Sequence, residues 1–257
     1  MTRTLAIATT TLREALRERL FHNLLVFAVL LVMGSLTISQ LTLGEQYRII
    51  ADIGTSATQV FGTLIAVFLG VGLVSKEIDR RTCYAALARP VSRASFVAGK
   101  YLGLVATLSI NVALMALATA AVLVLYRGGS ALSWAYLATF VLIAVQLAVC
   151  GAFAVLFSTF TTATLSSIMT LALVAAGWLF GEVRSFWLQA RQVELKPLVR
   201  VLDFVLPNMT LLDLKETVTY GDTVSLGSFL ARGAYGAAYA ATLLLLAAVV
   251  FTRRDIR

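Results

Sequence analysis

The 257-residue chain is 60% apolar but only 13% charged, with a mean hydropathy of +0.89 and a net charge of +8. Soluble domains carry about 45–50% apolar and about 25% charged residues, so a water-soluble globular domain, a disordered tail and a nucleic-acid binder are all excluded. Cys83 and Cys150 make no disulfide framework, and the single His22 rules out bis-histidine haem and multi-histidine metal sites.

What remains is an all-α, polytopic membrane protein forming one domain over residues 1–257. In chain order, Thr4–Phe21 comes first and reads as an amphipathic helix. Leu5, Leu12, Leu16 and Leu20 share one face and Glu14, Arg17 and Glu18 lie opposite, so the helix is expected flat on a membrane interface. The first span follows at Leu24–Leu43. It starts at residue 24, has full crossing length and lacks a small-residue cleavage site, so it does not have the pattern of a signal peptide. A helix needs about 20 mainly apolar residues to cross the hydrocarbon. Five more stretches qualify: Ser56–Ser75, Tyr101–Tyr126, Trp134–Phe157, Thr161–Phe180 and Gly233–Phe251. None holds Asp, Glu, Lys, Arg or His in its interior, where a charge is expensive. The fifth opens with Thr161, Thr162, Thr164, Ser166 and Ser167, whose hydroxyls can bond back to their own helix.

Two connections are longer than a turn requires. Lys76–Lys100 opens with four charges in six residues, continues as a short helical run Thr82–Ala88, and breaks at Pro90. Ser92 can then cap a helix that feeds the third span. Glu182–Ser228 carries Leu198, Val199, Leu202, Val205 and Leu206 at helical spacing after Pro197, then breaks at Pro207-Asn208 and turns at Gly221-Asp222. The expectation is a re-entrant or interfacial helix before the sixth span, with a water-exposed cap as the alternative.

Six spans put both termini on one side. Thirteen of the 21 Lys and Arg residues fall on that side, which makes it cytoplasmic by the positive-inside rule. Trp134, Trp178 and Trp187 then form an aromatic belt at the outer interface.

Chemistry inside the membrane is sparse. No serine–histidine pair is available, because His22 sits at a membrane edge, and no span has the paired carboxylates of a proton-coupled carrier. Gln40, Gln59, Asn111 and Gln146 are the polar candidates for lining a pathway, with interhelical hydrogen bonding as the alternative. Gly99-Lys100-Tyr101 is not a phosphate loop, since Ala94 and Tyr101 stand where Gly and Ser or Thr are needed. Gly99–Gly103 and Gly177–Gly181 both have the G-x-x-x-G spacing that allows close helix approach. Nothing in the chain calls for a bound cofactor or metal, and no catalytic residue is expected.

At residues 76–103 the sequence resembles the permease subunits of type-2 ATP-binding-cassette exporters. The resemblance rests on Lys76-Glu77, Arg80-Arg81-Thr82, Arg89-Pro90-Val91-Ser92-Arg93, Phe96 and Gly99-Lys100-Tyr101-Leu102-Gly103, and extends in outline to Leu206-Pro207-Asn208. It implies a half-transporter, paired with a second copy or a homologous permease, on whose cytoplasmic face separate ATPase subunits dock and consume ATP with Mg. By the same resemblance Thr82–Ala88 is a coupling helix, with Glu77, Arg80, Arg81, Thr82, Arg89, Pro90 and Arg93 around it and Tyr84 and Leu87 as apolar contacts. A prokaryotic cytoplasmic (inner) membrane fits the basic content. Uncharged walls suit a lipid-like or amphipathic cargo. A secondary carrier or channel of another six-span class, and a non-transporting assembly subunit, are the alternatives.

Overall fold

Three inner helices form a triangle, and each of its three grooves holds one outer helix. The computed structural model describes residues 2–39, 46–79, 93–127, 133–189, 206–215 and 224–253. In chain order the helices are α1 (Thr2–Arg17), α2 (Arg19–Ser39), α3 (Gln46–Asp79), α4 (Arg93–Arg127), α5 (Trp134–Ser158), α6 (Ala163–Gln189) and α7 (Leu226–Arg253), with a 3₁₀ turn at Met209–Leu212 before the last. No strand occurs among the described residues. Among the described residues six helices, α2 to α7, are long and apolar enough to cross a membrane, and the six expected spans fall on them one for one.

The inner triangle is α3, α4 and α5. Gly54 lies beneath Thr119 and Gly70 beneath Leu104, which sets α3 antiparallel to α4. Gly62 beneath Leu147 and Gly70 beneath Ala154 set α3 parallel to α5. On the third side, the Tyr101 hydroxyl donates to the Ala148 carbonyl at 2.9 Å and the Tyr136 hydroxyl to that of Ala116. Tyr and Thr side chains can be buried here because each finds a carbonyl to bond. α2 packs against α3 and α4, α6 against α5 and α3, and α7 against α5 and α4. The outer helices expose apolar side chains such as Phe27, Leu30, Ile168, Leu179, Leu245 and Leu246, a surface suited to lipid.

The helices outrun the apolar stretches at several ends. α3 begins at Gln46 and carries Arg48 and Asp52, and α7 begins at Leu226 and carries Arg232. Hydropathy marks only the part in hydrocarbon, while the helix continues into the interface, where charged heads can reach polar surroundings. α5 starts on a cap, with Ser133 Oγ accepting from the Tyr136 N–H at 3.3 Å. The hydroxyl-rich start of α6 behaves as its chemistry requires: Ser167 donates to the Ala163 carbonyl and Thr170 to that of Ser166. Ser92 lies outside the described residues, and α4 starts at the next position.

α1 departs from the simple interfacial picture. It ends at Arg17, with α2 beginning at Arg19, and the face it buries is centred on small residues, with Leu16 packed at its edge. Thr11 and Ala15 are buried against the bundle, whereas Leu5 is 59% exposed. Lipid is as apolar as leucine, so a leucine face gains little by leaving it, while small residues let two backbones come close.

Candidate functional site

Of the expected coupling residues, Arg80, Arg81, Thr82, Tyr84, Leu87, Arg89 and Pro90 lie outside the described residues. Glu77 falls in the last turns of α3 and Arg93 is the first residue of α4. Since α3 and α4 are antiparallel, the chain leaves one and enters the other at the same end of the bundle, called here the near end. α1 docks at that end as well.

The α1 dock is built on Gly99 and Gly103 of α4. A Cβ on Gly99 would stand 3.0 Å from the Thr4 carbonyl oxygen and 2.9 Å from Ile7 Cβ. One on Gly103 would stand 2.7 Å from the Ala8 carbonyl oxygen and 2.6 Å from Thr11 Cβ. Only glycine admits backbones this close. The G-x-x-x-G pattern on α4 therefore serves a contact within the chain. Lys100, between the two glycines, is buried; its ammonium lies 3.9 Å from Glu14 and over the Phe96 ring at 5.8 Å. The polar face of α1 stays open, with Thr10, Arg13, Glu14, Arg17 and Glu18 lining a cleft of about 580 Å³. His22 is exposed beside it, Nδ1 3.0 Å from the Glu18 carbonyl oxygen.

At the opposite, far end, residues 206–215 turn in against α6 and α7. The expected helix over Leu198–Leu206 lies almost wholly outside the described residues, but the Pro207-Asn208 break is visible and is the point of entry. A Cβ on Gly177 would stand 2.6 Å from the Pro207 carbonyl oxygen, and one on Gly181 would meet the Thr210 side chain, its Oγ1 at 2.6 Å. The second G-x-x-x-G pattern thus also receives a segment of the same chain. Met209 and Leu212 are fully buried, and Leu214 nearly so. Irregular backbone at such depth must find partners. The Asn208 N–H donates to the Tyr235 hydroxyl at 3.0 Å, and Asn208 Oδ1 accepts from Thr210 Oγ1 at 2.7 Å and from the Leu211 N–H at 3.3 Å. Arg232 donates to the Leu211 and Asp213 carbonyls at 3.0 and 3.2 Å, and Thr139 donates to that of Leu214 at 3.3 Å. Lys215 lies over the Trp178 ring at 5.7 Å and 3.7 Å from Asp213. Sequence reasoning missed this knot. The available signals were the glycine pair late in α6 and an arginine early in α7.

Of the four polar candidates, Gln40 lies outside the described residues. The other three sit one on each inner helix. Gln59 of α3 donates from Nε2 to Gln146 Oε1 of α5 at 2.9 Å, deep in the bundle. Asn111 of α4 is 1% exposed. Asn111 Nδ2 and Gln146 Nε2 have no hydrogen-bond partner among the described residues.

The model of the ABC-2 family transporter protein matches residues 5–256, nearly the whole chain. The chain therefore belongs to the ABC-2 transporter family and is a multi-pass membrane protein of the permease kind. A search of curated proteins found no match.

Proposed function

We propose that the chain is the transmembrane permease subunit of an ATP-driven exporter, forming a substrate pathway with a second copy or a homologous permease. Permeases of this family associate in general with an ABC ATPase, which here would bind and hydrolyse ATP with Mg while this chain supplies the moving bundle. The observation that carries the reading is the match to the family over residues 5–256, together with two inner helices that deliver both ends of the 80–92 segment to the near end of the bundle.

In this reading the near end is cytoplasmic and the membrane is a prokaryotic inner membrane. Glu77, Arg80, Arg81, Thr82, Arg89, Pro90 and Arg93 contact the ATPase as a polar rim, and Tyr84 and Leu87 fill its groove. Motion of the ATPase passes into α3 and α4 as rigid-body displacement, and opens a path between permease halves toward the far end. Gln40, Gln59, Asn111 and Gln146 are the polar positions proposed for that path; Gln59, Asn111 and Gln146 are enclosed by the inner helices of one copy and would meet it only once those helices move.

Co-purification with a P-loop ATPase from the same source tests the assignment. Replacing Arg89-Pro90 by Ala-Ala is expected to cut capture at least about tenfold, as loss of an interface anchor does. Full capture after that change would overturn the coupling role of the segment.

A further inference from the structure

The amide pair inside the bundle has a property that simple packing does not need. Gln59 and Gln146 spend one hydrogen bond on each other, yet Gln146 Nε2 and Asn111 Nδ2 are left with no acceptor among the described residues. A buried donor without a partner carries its full desolvation penalty, and within a bilayer no solvent relieves it. An apolar residue at Asn111, or apolar residues at Gln59 and Gln146 together, would avoid the penalty. The amides sit on the three inner helices, and α3, which supplies Gln59, runs unbroken to Asp79 at the start of the 80–92 segment.

Around the pair, α3 presents a smooth face to its neighbours. Gly54, Gly62 and Gly70 remove the side chains that would key α3 into its neighbours, so Thr119 of α4 and Leu147 and Ala154 of α5 rest on its backbone. Four residues beyond each member of the pair stand Thr63 of α3, whose hydroxyl donates to the Gln59 carbonyl at 2.7 Å, and Cys150 of α5. Cys150 is fully buried and free.

We propose that the Gln59–Gln146 bond is a clasp between α3 and α5 that holds one of two packings of the inner triangle, and that it opens when α3 is displaced, the amide donors of Gln146 and Asn111 being satisfied in the second packing. This rests on the permease reading, since the displacement comes from the ATPase. Gln59, Gln146 and Asn111 act as positioning residues. They set which packing is populated.

Cys150 reports the opening. The protein, in its complex with the ATPase in lipid nanodiscs and with Cys83→Ser removing the other thiol, is treated with N-ethylmaleimide, and Cys150 alkylation is followed by mass spectrometry with and without ATP and Mg. Alkylation is expected to be at least about tenfold faster during turnover, as a population shift toward an open seam requires. In a Gln59→Leu/Gln146→Leu protein that difference is expected to collapse while ATPase capture persists. Equal rates with and without nucleotide in a hydrolysing complex, or a double variant that keeps the full difference, would overturn the clasp. If the double variant fails to capture the ATPase, Asn111→Leu decides. Slower alkylation during turnover supports the second packing, and an unchanged rate overturns it. Absence of any ATPase capture by the parent protein is a different failure, that of the permease reading.

Discussion

Two glycine pairs of identical spacing do the same job at opposite ends of the molecule by different means. At the near end Gly99 and Gly103 receive a regular helix, α1, whose backbone already satisfies its own hydrogen bonds. Close approach and a few small side chains are enough, with the Lys100–Glu14 pair at the margin. At the far end Gly177 and Gly181 receive residues 206–215, an irregular stretch with exposed carbonyls and N–H groups. That stretch needs Tyr235, Arg232, Thr139 and the Asn208 side chain to complete it. A helix can be laid on a membrane bundle with little polar support, whereas a non-helical insertion must bring or find a partner for each backbone group. The far-end dock should therefore be the more cooperative and the costlier to disturb.

The largest effect is expected for Gly177→Leu. Its Cβ meets a backbone oxygen, that of Pro207, at 2.6 Å, and expelling the segment breaks the surrounding hydrogen bonds together. A loss of about 3 kcal/mol or more is expected from overpacking plus unsatisfied polar groups. It would be read as a lower unfolding temperature in detergent and new proteolytic cleavage near residues 206–215. Gly103→Leu should cost less, about 1–3 kcal/mol, because α1 can tilt away whole with its own hydrogen bonds intact. A cysteine in place of buried Ala15, with both native cysteines removed, should become reactive to maleimide in that variant while the transmembrane bundle keeps its unfolding temperature. If Gly103→Leu proved as damaging as Gly177→Leu, the distinction between the two docks would fail. The smallest effect belongs to Glu14→Gln. Glu14 is more than half exposed and 3.9 Å from the buried Lys100; water at the carboxylate holds the pair near the top of the surface range, about 1 kcal/mol, and Lys100 keeps its place over the Phe96 ring. Unfolding temperature and α1 labelling should both stay near the parent values, and a large change would mean that the near-end dock is electrostatic after all.

Much of the architecture is visible in the linear order of residues, but unevenly. The six spans are readable because hydrocarbon imposes a length and excludes charge, a constraint each segment meets alone. Both glycine pairs are visible as spacings, yet their partners are not: Gly177 meets Pro207 thirty positions later, and Gly99 meets Thr4 and Ile7 before the first span. The burial of α1 misleads for a related reason. Hydrophobicity selects Leu5, Leu12, Leu16 and Leu20 as the face to lay on the membrane, while the bundle seats Ile7, Ala8, Thr11 and Ala15, with Leu16 beside them and Leu5 left out, because fit, and not apolarity alone, decides contacts in lipid. Arg232 gives no hint that it bonds two carbonyls of a segment some twenty residues earlier. Among the candidate functional residues, those at 80–92 rest on motif resemblance, and Gln59, Asn111 and Gln146 stand out only as polar exceptions within apolar spans.

Crossing number, span limits and the family motif at 76–103 are local properties, written in runs of apolar residues and short spacings that need no knowledge of neighbours. The seating of three helices inside and three outside, the faces that glycine opens, and the meeting of Gln59 with Gln146 across 87 positions arise only when the helices pack. In a solvent as apolar as the side chains themselves, shape and the pairing of polar atoms choose the partners, and neither is carried by any one segment.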